Sequence, residues 1–439
     1  MKAFGVGALL VRYGPGLYRS MRAMLLLTAV PVTAIAAQFK QSTLVTVPVT
    51  PTTRVEAGVK VHQHDKTAFA RATQLELVGA PIAVIGGANG DPDYDLTNVE
   101  QVALLSDGRV ATLYGAKFFL FGANGQPQRT IASVGSGPGE LRGATGNLLL
   151  ATDTLFVLDL QNRQFNWCTP DKGFARGKQY VFDPRLRLTS VVGVLPGSRI
   201  VMSSMGTMVG SAATLGKIVR PLAPIAVISA DGRSTPFAEV PDFELTEINV
   251  TYRGKPGTTS RPIRFPKRAI ATVWDSTVVT GTGDAYQLDV RNGNGAVVSR
   301  ISVNTPRVLI TRAMIDTIIG AAMQRIRNTS SAERMTLTLQ ELEKAERDTP
   351  VADSLPPYAM LFVTPNKTLW VMDYPVPGTV GWSATAFRKD GAMLGRLHIA
   401  GAGFPLTFGD DRVVVRSEDQ DGVVSLKVQR IGIGSAKPK

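Results

Sequence analysis

The chain has 439 residues, enough for one large or two ordinary domains, and it is rich in glycine (43) and proline (27), a mix typical of many short strands joined by turns. The 48 basic and 35 acidic residues give a net charge of +13. Outside the first 22 residues the excess is scattered, without the basic face, interleaved aromatics or motif of a nucleic-acid-binding protein. We therefore expect no nucleic-acid partner.

The first 37 residues have the features of an export signal. Arg19 and Arg22 precede an apolar run at residues 24–33, and Ala34 and Ala36 form a small-x-small cleavage site. The run is too short to span a bilayer comfortably, and no later stretch is a candidate span. We expect a signal peptide at residues 1–37, with Met21 as a second candidate for the start, and a mature protein that is periplasmic or secreted.

The next segment, residues 38–73, is rich in threonine, valine and glutamine and contains several prolines, which predicts an extended or disordered tether. From Leu75 onward, short apolar runs alternate with turn signals. Asp-Gly and Asn-Gly pairs supply the positive φ angles that tight hairpins need. The runs group into six units, at residues 102–125, 148–173, 191–232, 269–293, 360–391 and 406–428.

The last unit stops after three strands, while a spare run at residues 75–85 precedes the first. We infer that the spare strand completes the last unit and removes two exposed sheet edges. The sequence thus predicts an all-β fold: a six-bladed β-propeller with four-stranded antiparallel blades, spanning residues 74–434. A basic tail follows at residues 435–439.

One segment has helical rather than strand periodicity. Met314, Ile315, Ile318 and Ile319 follow helical spacing, and residues 330–333 offer a capping box for a second helix. We expect a helical insertion over about residues 311–347, between the fourth and fifth blades and on one face of the disk. It would serve as a lid over apolar surface or as one wall of a binding site.

Several motifs support a family resemblance. They are Gly135-Ser-Gly-Pro-Gly-Glu-Leu141, Val157-Leu-Asp159 with Asn162-Arg163, Leu355-Pro-Pro-Tyr358 with Leu369-Trp-Val371, and Phe387-Arg-Lys-Asp-Gly391. The chain resembles NHL-type repeats and, more closely, the bacterial six-bladed β-propeller family. That resemblance implies an exported propeller and carries no agreed catalytic set.

The residues offer little metal chemistry. The three histidines do not suggest a zinc or copper site, since His62 and His64 lie in the predicted tether and His398 on a predicted strand. Calcium at the axis remains an alternative, with Asp159, Asp275 and Asp373 as candidate ligands. The simpler interpretation of these three is that each bonds its own backbone at a turn or strand end. We therefore expect no cofactor, with calcium as the alternative.

A basic segment between residues 251 and 273 contains no acidic residue, and its prolines and glycine predict a loop. Its cations form the candidate binding site: Arg253, Lys255, Arg261, Arg264, Lys267 and Arg268. Loops of a propeller line the faces of the disk, so these side chains could form a basic rim for an anionic ligand such as a glycan, a peptide carboxylate or a lipid headgroup. The alternative is a solvated loop whose charges serve solubility.

These observations favour an exported, non-catalytic binding or scaffold propeller that uses one face of the disk. Its partner would be an unidentified protein, a glycan or a small anionic ligand, and a monomer is expected. A calcium-dependent, lactonase-like hydrolase or lyase with its site at the axis is the alternative. A third interpretation is a structural subunit of a larger envelope assembly.

Overall fold

The computed structural model describes residues 46–434, apart from 88–93, 95, 100, 115, 150–152, 180–182, 184, 206–214, 230, 253–254, 329–338 and 402. The predicted signal peptide, capping box and basic tail lie outside the described residues. The first described elements are β1 (Thr52–Glu56), β2 (Val59–His64), the short helix α1 (Ala68–Arg71) and the long strand β3 (Gln74–Gly86).

Five groups of four antiparallel strands and a last group of three follow within the described residues. Sheet one contains β4 (Gln101–Leu104), β5 (Val110–Tyr114), β6 (Lys117–Phe121) and β7 (Pro127–Val134), with the two-residue strand β8 (Glu140–Leu141) beside β7. Sheet two contains β9 (Ala144–Leu149), β10 (Leu155–Asp159), β11 (Gln164–Thr169) and β12 (Gly173–Gln179). Sheet three contains β13 (Ser190–Leu195), β14 (Arg199–Ser203), β15 (Leu222–Ile228) and β16 (Ser234–Pro241).

A separate hairpin comes next, formed by β17 (Leu245–Tyr252) and β18 (Lys255–Pro262). Sheet four contains β19 (Ile270–Trp274), β20 (Thr277–Gly281), β21 (Gln287–Arg291) and β22 (Val297–Val303). The helices α2 (Arg312–Asn328) and α3 (Leu339–Asp348) precede sheet five, which contains β23 (Tyr358–Val363), β24 (Leu369–Asp373), β25 (Trp382–Phe387) and β26 (Met393–Ile399). The last three strands are β27 (Phe404–Phe408), β28 (Arg412–Glu418) and β29 (Val424–Ile433).

The early strand β3 joins this last group to form sheet six, in the order β27-β28-β29-β3. It runs antiparallel to β29, with Leu77 opposite Ile431 and Ala83 opposite Val428. This is the pairing that closure by an early strand requires. The start of β3 also pairs in parallel with β26, which links sheet six to sheet five.

The first strands of the sheets contact one another in a closed cycle. Contacts run from β4 to β9, then to β13, β19, β23, β27 and back to β4. The sheets therefore radiate from a common axis, as in a β-propeller.

The hydrophobic core is divided among the spaces between neighbouring sheets. In the described part of the chain, six clusters of buried apolar side chains each combine residues of two adjacent sheets. Strand β24 shows why the sequence of a middle strand is a continuous apolar run, since both faces of the strand are buried. Leu369 and Val371 face the cluster shared with sheet four, while Trp370 and Met372 face the one shared with sheet six, where the Trp370 ring stacks on Phe408 at 4.7 Å.

The front of the chain differs from the expected tether, and that prediction is wrong for residues 52–71. Strand β2 pairs in parallel with β22, the outer strand of sheet four, and β1 pairs with β2. Val61, His62 and His64 are buried. The period-two alternation over Val59–His64 is the pattern of a half-buried strand, which the polar, proline-containing surroundings obscured.

The helical insertion lies between β22 and β23, within the predicted range of residues. The β22–β23 connection, which contains the insertion, lies on the same face of the ring as the hairpin β17–β18. In a sheet of four antiparallel strands, the fourth strand ends on the face where the first strand of the next sheet begins. We call this side, which carries the β16–β19 and β22–β23 connections, the connecting face. Among the described residues, no helix has the length and apolar character needed to cross a membrane.

The closing strand offers a test of how much the ring depends on β3. Ile85 is fully buried between sheets six and one, whereas its neighbour Val84 is 45% exposed. We expect Ile85→Ala to lower the free energy of unfolding by about 2–5 kcal/mol, since it leaves a cavity in the core. Val84→Ala should change it by only about 0.5 kcal/mol. Denaturant-induced unfolding measures both, and equal losses would contradict the packing described for β3.

The buried histidine of β2 gives the docked hairpin a pH dependence. His64 Nε2 lies 2.8 Å from the backbone oxygen of Gly391, so Nε2 donates the proton, while the buried Nδ1 has no partner. Burial, above all, and the charge of Arg71 lower the pKa of His64, against the opposing effects of Gly391 and Asp65. The unfolded chain therefore binds more protons below about pH 6.5, and stability falls as the pH drops from there towards the folded-state pKa.

We expect the thermal unfolding midpoint to fall between about pH 7.5 and 5.5, and to fall less in the His64→Gln variant. The exposed His398 provides the matched control, His398→Gln, which should keep the wild-type pH dependence. Identical pH profiles for wild type and His64→Gln, measured by calorimetry, would show that His64 does not contribute.

Candidate functional site

A cavity of about 260 Å³ lies where the first strands of sheets three, four and five meet. Ser190, Ile270 and Ala359 stand at or next to the first residues of β13, β19 and β23, so the cavity lies at the connecting face. Its lining residues are Ser190, Val191, Val192, Ser203, Met205, Phe243, Arg268, Ala269, Ile270, Ala271, Ala359, Met360 and Leu361.

The lining is mostly apolar and includes three polar side chains, those of Ser190, Ser203 and Arg268. Among the described lining residues, Arg268 is the only charged side chain and none carries a carboxylate. Ser203 is fully buried at the end of β14, and its hydroxyl has no hydrogen-bond partner among the residues that the structure describes. A buried hydroxyl without a partner is uncommon in native proteins.

Arg268 is exposed and only loosely held by the protein. One guanidinium nitrogen, Nη2, donates to the backbone oxygen of Ala359 at 3.1 Å, and the guanidinium carbon lies 5.9 Å from the centre of the Phe243 ring. It forms no ion pair with a described carboxylate, whereas its neighbour Lys267 pairs with Glu244 at 3.4 Å. Most of its donors are therefore available at the cavity.

The rest of the predicted basic segment is not a free loop. Its first part belongs to the hairpin β17–β18, of which Arg253 and the Lys255 side chain lie outside the described residues, and Arg264 and Lys267 follow the end of β18. Arg261 and Arg264 both pair with Glu346 of α3, at 2.7 and 3.0 Å. The expectation of an open rim at these two arginines is therefore wrong, because their charges hold the protein's own helical insertion.

The Glu346 site is half-buried and tightly bonded. Burial acts to raise the pKa of Glu346, but the hydrogen bonds and charges of Arg261 and Arg264 outweigh it and lower the pKa. The backbone continues the attachment, since Arg264 N–H donates to Pro350 O at 2.7 Å and Ala352 N–H donates to Arg264 O at 3.0 Å. The insertion is thus fixed to the hairpin, and the lining residues of the cavity come from neither α2 nor α3.

The glycine-rich motif of sheet two has a structural role. The buried carboxylate of Asp159 accepts backbone N–H bonds from Arg142, Gly143, Gln161 and Asn162, at 2.7–3.2 Å. The Asn162 side chain donates to Asp159 and to Gly135 O. The prediction that Asp159 bonds nearby backbone is confirmed.

The other two candidate calcium ligands, Asp275 and Asp373, form ion pairs with basic side chains. Hydrogen bonds from Lys367 and Lys389 lower the pKa of Asp275 to about 2. Asp373 pairs with Arg396, yet burial raises its pKa. Within the described parts of the chain, no group of three or more histidine, cysteine, aspartate or glutamate side chains is placed to hold a metal ion.

The single cysteine of the chain is a buried residue of sheet two. Cys168 lies in β11, is 1% exposed and is free, and burial raises the pKa of its thiol to about 11. A thiol with that pKa is not a nucleophile near neutral pH.

Comparisons with known proteins give no family assignment: no protein-family profile and no curated protein matches the chain. Solved structures do resemble it. A putative exported protein from Bacteroides fragilis is 10% identical, with 85% of this chain and 100% of that chain covered and a TM-score of 0.46. A member of the DUF4221 family from Bacteroides vulgatus is 12% identical, with 83% and 100% covered and a TM-score of 0.48.

A third similar structure is the calcium-binding protein regucalcin from Agrobacterium tumefaciens. It is 9% identical, with 84% of this chain and 98% of that chain covered and a TM-score of 0.36. At this level of similarity none of the three bears on what the chain does.

The ion-pair network of α3 makes a testable prediction. Glu346→Gln leaves Arg264, whose side chain is 5% exposed, without its charge partner, so we expect a loss of about 1–3 kcal/mol in the free energy of unfolding. Asp348→Asn on the same helix breaks only the exposed pair with Lys344 and should change stability by about 0.5 kcal/mol or less. Denaturant titration distinguishes the two, and an equally mild Glu346→Gln would show that the pair does not hold the insertion.

Proposed function

We propose that this protein is an exported, non-catalytic six-bladed β-propeller of the NHL-like kind that binds a ligand or partner through its connecting face. The observation that carries the proposal is the cavity at the start of β13, β19 and β23. It combines an apolar lining with one arginine that forms no ion pair with a described carboxylate. Such a lining suits recognition, since pockets with few placed polar groups bind and orient small molecules.

The count of six blades is supported by the cycle of first strands and by the clusters between sheets. In this proposal β3 is the outermost strand of the sixth blade, and the hairpin β1–β2 is an addition to the outer edge of the fourth. The propeller spans residues 74–434 with the helical insertion inside it. Export rests on the signal-like sequence of residues 1–37 and places the mature chain in the periplasm or outside the cell.

The nature of the partner follows from the site. A concave site of about 260 Å³ suits a small molecule better than a protein or glycan surface. Of the four cations proposed from sequence whose side chains the structure describes, Arg268 is the one that lines this site. A small anionic ligand bound by a monomer is therefore the form of the proposal that we favour.

Metal content and turnover test the proposal against a calcium-dependent hydrolase or lyase. We expect purified protein to retain clearly less than one calcium ion per chain after dialysis, and to show no hydrolysis of aliphatic or sugar lactones above the buffer rate. Elemental analysis and a pH-indicator assay measure the two quantities. Stoichiometric calcium together with lactone turnover would refute the non-catalytic proposal.

A further inference from the structure

We propose that the cavity at the connecting face binds a small monocarboxylate with an apolar chain, whose carboxylate pairs with Arg268 at the mouth. This inference rests on the proposed binding function and specifies its ligand. The juxtaposition that carries it is a single cavity lined by Arg268, which forms no ion pair with a described carboxylate, and by the buried Ser203, whose hydroxyl has no partner among the described residues. Apart from Ser190, the other described lining residues are apolar.

The charge at the site matches a single negative charge. Lys267 forms an ion pair with Glu244. Arg220, just before β15, forms an ion pair with Asp284 at 2.8 Å. Arg268 is then the one cation among the lining residues that the structure describes. One guanidinium fork balances the charge of one carboxylate, while a phosphate monoester would bring a second negative charge that no other described lining residue balances.

The hydrogen-bonding groups also favour an acceptor-only ligand. Arg268 can only donate, and the hydroxyls of Ser190 and Ser203 can donate or accept, so a ligand group that only accepts is compatible with all three. A carboxylate offers oxygens that only accept, so it can use both kinds of donor.

The remaining walls fit an aliphatic chain. Val192, Ile270 and Leu361 supply branched apolar surface, and Met205 and Met360 are flexible side chains that adapt to irregular shapes. The volume is near the lower limit of about 300 Å³ for ligand pockets, which suits a chain of medium length.

Isothermal titration calorimetry on the full mature chain tests the inference with three probes: octanoate, its neutral analogue octanamide, and octyl phosphate. We expect octanoate to bind with a Kd below about 1 mM, at least tenfold tighter than octanamide, and tighter than octyl phosphate. The comparison isolates the charge, because the three probes share the same alkyl chain.

Variants locate the binding. Arg268→Gln should weaken octanoate at least tenfold and leave octanamide unchanged. Arg233→Gln is the matched control, because Arg233 is highly exposed on the turn before β16 and should leave octanoate binding intact. Ser203→Ala should weaken octanoate about tenfold without lowering the thermal midpoint of the empty protein, since the hydroxyl has no partner there.

Each other outcome overturns the inference. Octanamide or octyl phosphate binding as tightly as octanoate removes the carboxylate specificity, and octanoate binding that is insensitive to Arg268→Gln removes the site. Absence of octanoate binding in a protein free of calcium and lactone turnover refutes the ligand assignment alone. Stoichiometric calcium with turnover refutes the proposed function itself.

Discussion

Burial of the middle strands on both faces is the constraint on which the architecture depends. In β10, Leu155 and Val157 face sheet one while Phe156 and Leu158 face sheet three, and all four are fully buried. A strand of this kind is stable only between two neighbouring sheets, because each exposed Leu, Ile, Val or Phe forfeits about 1.5–3 kcal/mol. An open row of sheets would leave one face uncovered at each end. The ring removes both ends, and the β3–β29 ladder holds it shut.

A framework fixed in this way leaves its connections free to differ. The connections on one face include a hairpin, two helices and the mouth of a cavity. Their charged side chains divide into two kinds. Arg261 and Arg264 are half-buried or buried and are neutralised by Glu346, as arginines removed from water require. Arg268 remains in contact with solvent and pairs with no carboxylate among the described residues. It is therefore available to a ligand, whereas Arg261 and Arg264 hold the helical insertion in place.

Much of the fold was predictable because its signals are local. Period-two apolar runs, Asp-Gly and Asn-Gly turns and a change to helical spacing placed the strands and the insertion, and the unfinished last unit pointed to the role of the early strand. The hairpin β1–β2 was not predicted, since its partner β22 lies more than two hundred residues away and no local pattern records that pairing. The cavity was missed for the same reason: Ser203, Phe243 and Arg268 come from separate segments with no common spacing. The run of basic residues without an acidic one identified the basic segment. The structure was needed to show that Arg268, unlike its neighbours, forms no ion pair with a described carboxylate.

The order in which the closing pair is synthesised has a consequence for how the molecule reaches its native state. Residues 74–86 leave the ribosome more than three hundred residues before their main-chain partners in β29. Throughout that interval one long apolar segment has an unsatisfied edge, which invites association with other chains. Pairing over such sequence separation also makes the final step slow. Shielding of β3 until β29 is available would limit that association.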